Sequence, residues 1–75
     1  MPKAFVMIGL NPGREEEVQR RVTSLPGVKF AYQVTGLHDM IALIDAEPYE
    51  ELAVLVASIR KFDGVKSTDT ELVLR

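Results

Sequence analysis

Seventy-five residues carrying nine Lys plus Arg against eleven Asp plus Glu make one small domain with a net charge of -2. That balance offers no electrostatic footprint for a polyanion, whose binding depends on clustered phosphate contacts, so direct DNA or RNA binding is not expected. With no cysteine and one histidine, His38, the chain has no disulfide, no thiolate metal site and no histidine-rich metal cluster, and no cofactor is expected.

No run approaches the roughly 20 apolar residues of a membrane helix. Met1-Pro2-Lys3 leads into a strand-like segment rather than a signal peptide, so the expected location is the cytoplasm. A domain of this length buries only about 60% of the surface its unfolded chain exposes and is marginally stable alone, so help from a partner chain is expected.

Taken in order, Ala4 to Leu10 is a continuous apolar run closed by Asn11-Pro12-Gly13, which reads as a buried strand and a turn. Arg14 to Leu25 follows as a helix: Val18, Val22 and Leu25 recur at helical spacing, Glu15, Glu16 and Glu17 fall in the first turn, and Arg20 and Arg21 lie nearer its end. Pro26-Gly27 stops it. From Val28 to Val34 the chain alternates, with Val28, Phe30, Tyr32 and Val34 on one side, as a half-exposed strand does.

Met40 to Ala46 is apolar on both faces until Asp45 and belongs inside a sheet. Glu47-Pro48 opens a second helix whose inward stripe is Leu52, Leu55, Val56, Ile59 and Phe62. After Asp63-Gly64, Val65 to Leu74 reads as the last strand, polar at first and then apolar.

A shift of 37 positions lays Leu25-Pro26-Gly27-Val28-Lys29 over Phe62-Asp63-Gly64-Val65-Lys66, Val18 over Leu55 and Val22 over Ile59. Two strand-helix-strand units in tandem predict an α+β, ferredoxin-like βαββαβ fold, with an antiparallel four-stranded sheet and both helices on one face. Strands one and three then occupy the centre. Because they are apolar on both sides, the uncovered face carries a patch too large for a soluble monomer, which predicts a two-fold homodimer packed sheet against sheet.

Between the halves lies Thr35-Gly36-Leu37-His38-Asp39, a polar turn between apolar runs. Gly36 admits backbone angles closed to other residues, Asp39 places a carboxylate just before a buried strand, and His38 is the one histidine of the chain. It is the best candidate for a ligand-contacting loop.

The βαββαβ order, the helix stop before Gly27-Val28, the Gly36-x-x-Asp39 loop entering an apolar strand, and Gly64-Val65-x-x-Thr68-x-Thr70 running into Leu72-Val73-Leu74 together resemble the effector-binding (RAM) domain of Lrp/AsnC transcription regulators. The resemblance spans nearly the whole of residues 1–75. It implies dimers formed through the sheet, a ring of dimers such as an octamer, and a free amino acid bound between dimers. Carried over by position, the ligand residues are Thr35, Gly36, Leu37, His38, Asp39 and Met40, with Thr68 and Thr70 approaching from the last strand or a neighbouring subunit. Asp39 would accept from the ligand ammonium, while backbone N–H groups near Gly36 and the threonine hydroxyls would donate to its carboxylate. Leu37, Met40 and Val34 would line a side-chain pocket; with no second charge to complement a charged side chain, an aliphatic amino acid is favoured.

The sequence departs from the family in two places. The usual regulator carries an N-terminal helix-turn-helix domain, and here the first strand begins at residue 4, so a stand-alone effector domain is expected. His38 stands where an aromatic side chain commonly precedes the aspartate. The expected role is a non-enzymatic amino-acid sensor that could modulate transcription by assembling with a DNA-binding Lrp/AsnC relative. Two alternatives stand beside it: a dimeric α+β barrel enzyme of the cofactor-free oxygenase or isomerase type, with His38 as base, and an unliganded assembly module.

Overall fold

The computed structural model describes residues 2–75. Its elements run β1 (Lys3–Leu10), α1 (Glu15–Thr23), β2 (Val28–Gln33), β3 (Met40–Asp45), α2 (Tyr49–Arg60) and β4 (Val65–Leu72). The four strands form one sheet in the order β2-β3-β1-β4, and every neighbouring pair is antiparallel. The uniformly apolar strands are central and the strands carrying polar residues lie at the edges, as the tandem-repeat reading predicts.

Alternation along the central strands decides which side chains reach the helices. Ala4, Val6, Ile8 and Leu10 of β1 and Met40, Ala42 and Ile44 of β3 are buried on the helix side. Val18 and Val22 of α1 and Leu52, Leu55 and Ile59 of α2 close over them as one core. Burying each large aliphatic side chain contributes about 1.5–3 kcal/mol, so this layer supplies most of what stabilises the fold. Helix α1 is also fastened to the β2 edge, where Gln19 Nε2 donates to the Ala31 carbonyl at 2.7 Å and Gln19 Oε1 accepts from Gln33 Nε2 at 2.9 Å.

The opposite face is covered by no helix among the described residues. Phe5 and Met7 of β1 and Ile41 and Leu43 of β3 are half-buried there, and β2 adds Phe30 and Tyr32, which pair across the strands with Leu43 and Ile41. Their rings stack with centroids 4.8 Å apart. In β2 only Ala31 is fully buried against the helices, so most of the apolar stripe of that strand points to the open side. The cause is an irregular register between Val28 and Phe30, which lets Val28 oppose Ile44 and pack against the core while turning Phe30 away from it. Beyond β1 this face becomes acidic, with Asp69 opposite Met7 and Glu71 opposite Phe5.

Element ends differ slightly from the sequence reading, for local reasons. Helix α1 stops at Thr23, where the chain tightens into a turn in which the Leu25 N–H donates to the Val22 carbonyl at 3.1 Å, and Pro26 has no N–H to carry the helix further. Pro48 stands before the first turn of α2 with extended backbone angles instead of within it. Strand β4 ends at Leu72 because β1 begins at Lys3, although the Val73 N–H still donates to the Lys3 carbonyl at 2.9 Å.

A candidate ligand site at one end of the sheet

The loop from Val34 to Asp39 extends the β2–β3 hairpin beyond the sheet. It closes where the Val34 N–H donates to the Asp39 carbonyl at 3.0 Å, and the Asp39 N–H donates to the Ile8 carbonyl at 3.0 Å. Gly36 has φ 107°, in the region favouring glycine, and a β-carbon there would meet nothing within 4 Å. Glycine is therefore required by the backbone and not by space. Thr35 and Gly36 are exposed, Leu37 is 93% exposed at the tip, and His38 is half-buried with no side-chain hydrogen bond among the described residues.

Asp39 is the structural anchor of this loop. Its Oδ2 accepts the Leu10 N–H at 2.8 Å, replacing a ladder carbonyl where β1 runs past the start of β3. A carboxylate accepting a backbone N–H makes a charge-assisted bond, so Asp39 is oriented before any ligand arrives. Only Oδ2 is engaged with the protein, which leaves acceptor capacity on the carboxylate. A short network braces the same end: the Asn11 N–H donates to the Gly64 carbonyl at 2.9 Å, and Arg14 Nη2 bonds Glu17 at 2.9 Å and Asp63 at 3.1 Å. Hydrogen bonds from Arg14 to Asp63 and then Glu17 push the guanidinium pKa further upward.

The other expected ligand residues lie elsewhere. Met40 is fully buried in the core, so its side chain cannot line a pocket at the loop, and that expectation is corrected by the alternation that sends Ile41 outward instead. Thr68 and Thr70 stand opposite Ile8 and Val6, hence on the helix side of β4. Thr70 lines an apolar groove of about 300 Å³ with Tyr49, Leu52, Val56 and Leu72, and Thr68 lines a polar cleft of about 310 Å³ with Arg60, Lys66 and Ser67. Two strand spacings separate Thr68 from Met40, about 10 Å between backbones. Thus a single chain gathers Thr35 to Asp39 but does not bring Thr68 or Thr70 to them.

Sequence reasoning missed the Asp39–Leu10 bond, whose only sign is an aspartate just before a buried strand. It also missed a cavity at the other end of the sheet, of about 420 Å³, lined by Lys3, Asp45, Val73, Leu74 and Arg75. There Asp45 Oδ1 is buried with no hydrogen-bond partner among the described residues. No group of three or more candidate metal ligands occurs among the described residues, and no helix is long and apolar enough to cross a membrane.

Residues 3–75 match the Lrp/AsnC ligand binding domain. The HTH-type transcriptional regulator LysM of Sulfurisphaera tokodaii is 30% identical over 74 residues, covering 97% of this chain and 53% of that protein. Homocitrate synthase of the same organism is 38% identical over 58 residues, covering 77% of this chain and 13% of the synthase. The chain therefore spans about half the length of the regulator and a small part of the synthase. Among solved structures, TTHA0845 from Thermus thermophilus is 36% identical with a TM-score of 0.94, over 100% of this chain and 95% of that one. A transcriptional regulator from Neisseria meningitidis, 17% identical with a TM-score of 0.83 over 99% of this chain and 50% of that one, shares the fold. On the match across residues 3–75 and the βαββαβ sheet that carries it, the chain belongs to the Lrp/AsnC ligand-binding domain family.

Proposed function

We propose that the chain is a non-enzymatic amino-acid sensor that works in the cytoplasm, dimerises through the open face of its sheet and reports ligand by a change in assembly. The observation carrying this reading is Asp39: a carboxylate fixed in place beside a glycine loop, with acceptor capacity left for an ammonium group. The reading draws support from the relatives. A domain similar both to part of a regulator and to part of a synthase has a use that does not depend on DNA contact. The Neisseria meningitidis regulator of the same fold was solved as a complex with L-Met.

The open face supports the assembly half of the proposal. Phe5, Met7, Phe30, Tyr32, Ile41 and Leu43 neighbour one another across β1, β3 and β2, with no covering element among the described residues. A standard interface buries about 800 Å² per partner, roughly a sixth of this chain's 4872 Å². Dimers would then meet end to end in a ring such as an octamer, where Thr68 and Thr70 of a neighbour approach the loop. Mixed assembly with a full-length Lrp/AsnC relative would carry the signal to DNA, which a net charge of -2 does not equip this chain to bind itself. A ligand shifts such an equilibrium only by its differential affinity for the assembled and separated states.

The test is thermal-shift screening against the free amino acids, followed by solution mass with and without any hit. A ligand at one hundred times its Kd stabilises by about 2.7 kcal/mol, several degrees in Tm for a domain of this size. An aliphatic amino acid is expected to give that shift and to change the mass distribution. No shift with any amino acid at millimolar concentration counts against the sensor, and a monodisperse monomer at micromolar concentration counts against the dimer.

A further inference from the structure

Helices α1 and α2 seal the two edges of the sheet unequally. At the β2 edge, Gln19 of α1 donates to the Ala31 carbonyl and accepts from Gln33, which closes the seam between helix and strand. At the β4 edge, the one side-chain hydrogen bond of α2 among the described residues, from Ser58 Oγ to the Val54 carbonyl at 3.0 Å, runs along the helix itself. The α2 positions beside this edge, Ala53, Val56 and Ala57, are too short to fill the space, and a groove stays open between helix and strand.

The groove changes character along its length. The cavity of about 300 Å³ is walled by Tyr49, Leu52, Ala53, Val56, Ala57 and Leu72, with Tyr49 and Leu72 left 56% and 46% exposed. Arg60 stands at its other end and also lines the polar cleft of about 310 Å³ with Lys66 and Thr68. In a chain with eleven Asp plus Glu against nine Lys plus Arg, no carboxylate lines either cavity among the described residues. Asp69 and Glu71, opposite Met7 and Phe5, face the open side of the sheet instead. Arg60 and Lys66 take part in none of the ion pairs among the described residues, which belong to Arg14 and Arg21.

We infer that this groove binds an unbranched acyl carboxylate, a fatty acid of medium chain length. The carboxylate pairs with the Arg60 guanidinium, whose fork matches its two oxygens, while Lys66 adds a second positive charge and the Thr68 hydroxyl a donor. The acyl chain lies along Ala53, Val56 and Ala57 towards Tyr49 and Leu72, exchanging water for an apolar wall. Two features select this ligand over an amino acid. An α-ammonium would find no acceptor carboxylate here, and a charge buried without a partner is costly. Tyr49 and Arg60 also lie about 16 Å apart along the helix at 1.5 Å per residue, a slot for an extended chain and not for a compact side chain. The groove is separate from Asp39 and does not depend on the sensor reading above.

The test is calorimetric titration of the full chain with octanoate, octanamide and L-leucine in turn. Octanoate is expected to bind saturably, and L-leucine not to compete with it. Arg60→Gln is expected to weaken octanoate binding on the order of tenfold to a hundredfold, the effect of losing a hydrogen bond between charged groups, and octanamide to bind wild type more weakly by a similar factor. Ala53→Phe, at an exposed helix position, fills the groove and is expected to abolish binding without unfolding the chain. Leu43→Arg, on the other face of the sheet, is expected to leave it unchanged. Octanoate binding that survives both Arg60→Gln and Ala53→Phe, or that is lost in Leu43→Arg, overturns the groove as the site. Wild type that binds no octanoate also overturns it, and if Ala53→Phe then shifts the solution mass, the groove is a contact between copies of the chain. None of these results bears on whether an amino acid binds at Asp39.

Discussion

The two faces of the sheet are built from the same strands and the same residue types, yet they have different fates. On the helix side, Val6, Ile8, Ile44 and Ile59 are sealed from water. On the open side, Phe5, Met7, Ile41 and Leu43 are only half-buried and Tyr32 remains 59% exposed. The difference shows that apolar content alone does not define a core. What defines it is a second layer, and the open face has none among the described residues.

Substitutions on the two faces should separate these fates, and the largest effect belongs to the sealed one. Ile44→Ala is expected to cost about 2–5 kcal/mol, read as a lowered midpoint in urea denaturation at any protein concentration. Leu43→Arg, its neighbour on the other face, is expected to leave the secondary structure intact while converting the proposed dimer to monomer in sedimentation. A Leu43→Arg chain that keeps its wild-type mass would mean that the open face is not the interface.

Smaller effects sharpen the contrast at the loop. Gly36→Ala is expected to cost about 1–2 kcal/mol from backbone strain alone, because nothing lies within 4 Å of the added carbon. Asp39→Asn keeps an acceptor for the Leu10 N–H, so stability should change by less than about 1 kcal/mol while amino-acid binding falls sharply. If stability and binding fall together instead, Asp39 is an anchor and nothing more. Arg14→Ala, which removes both ion pairs at the braced end, should cost at most about 1 kcal/mol and less at high salt, since surface pairs are weak.

The fold was legible because several levels of the sequence agree. Apolar runs at Ala4 to Leu10 and Met40 to Ile44, helical spacing at Val18 and Val22, and stops at Pro26-Gly27 and Asp63-Gly64 each point to one topology, and the 37-residue echo orders the strands. What could not be read was the facing of β2. Alternation identifies two sides but not which one meets the helices, and one irregular residue at Lys29 reverses the answer. The loop was legible for a similar reason: a glycine requiring positive φ leaves a trace in sequence. The facing of Thr68 and Thr70 was not, because it depends on register, which pairs them with Ile8 and Val6 on the helix side.

One further consequence lies in where the chain ends are. The Val73 N–H meets the Lys3 carbonyl at the end of the sheet away from Gly36, and the eight-residue length of β1 places the two ends of the sheet about 23 Å apart at 3.3 Å per residue. Entry and exit points therefore sit side by side, remote from the loop. A polypeptide joined at either terminus would leave the loop end unobstructed, which makes this domain graftable: unlike partners can be spliced onto it without altering the geometry around Gly36 and Asp39.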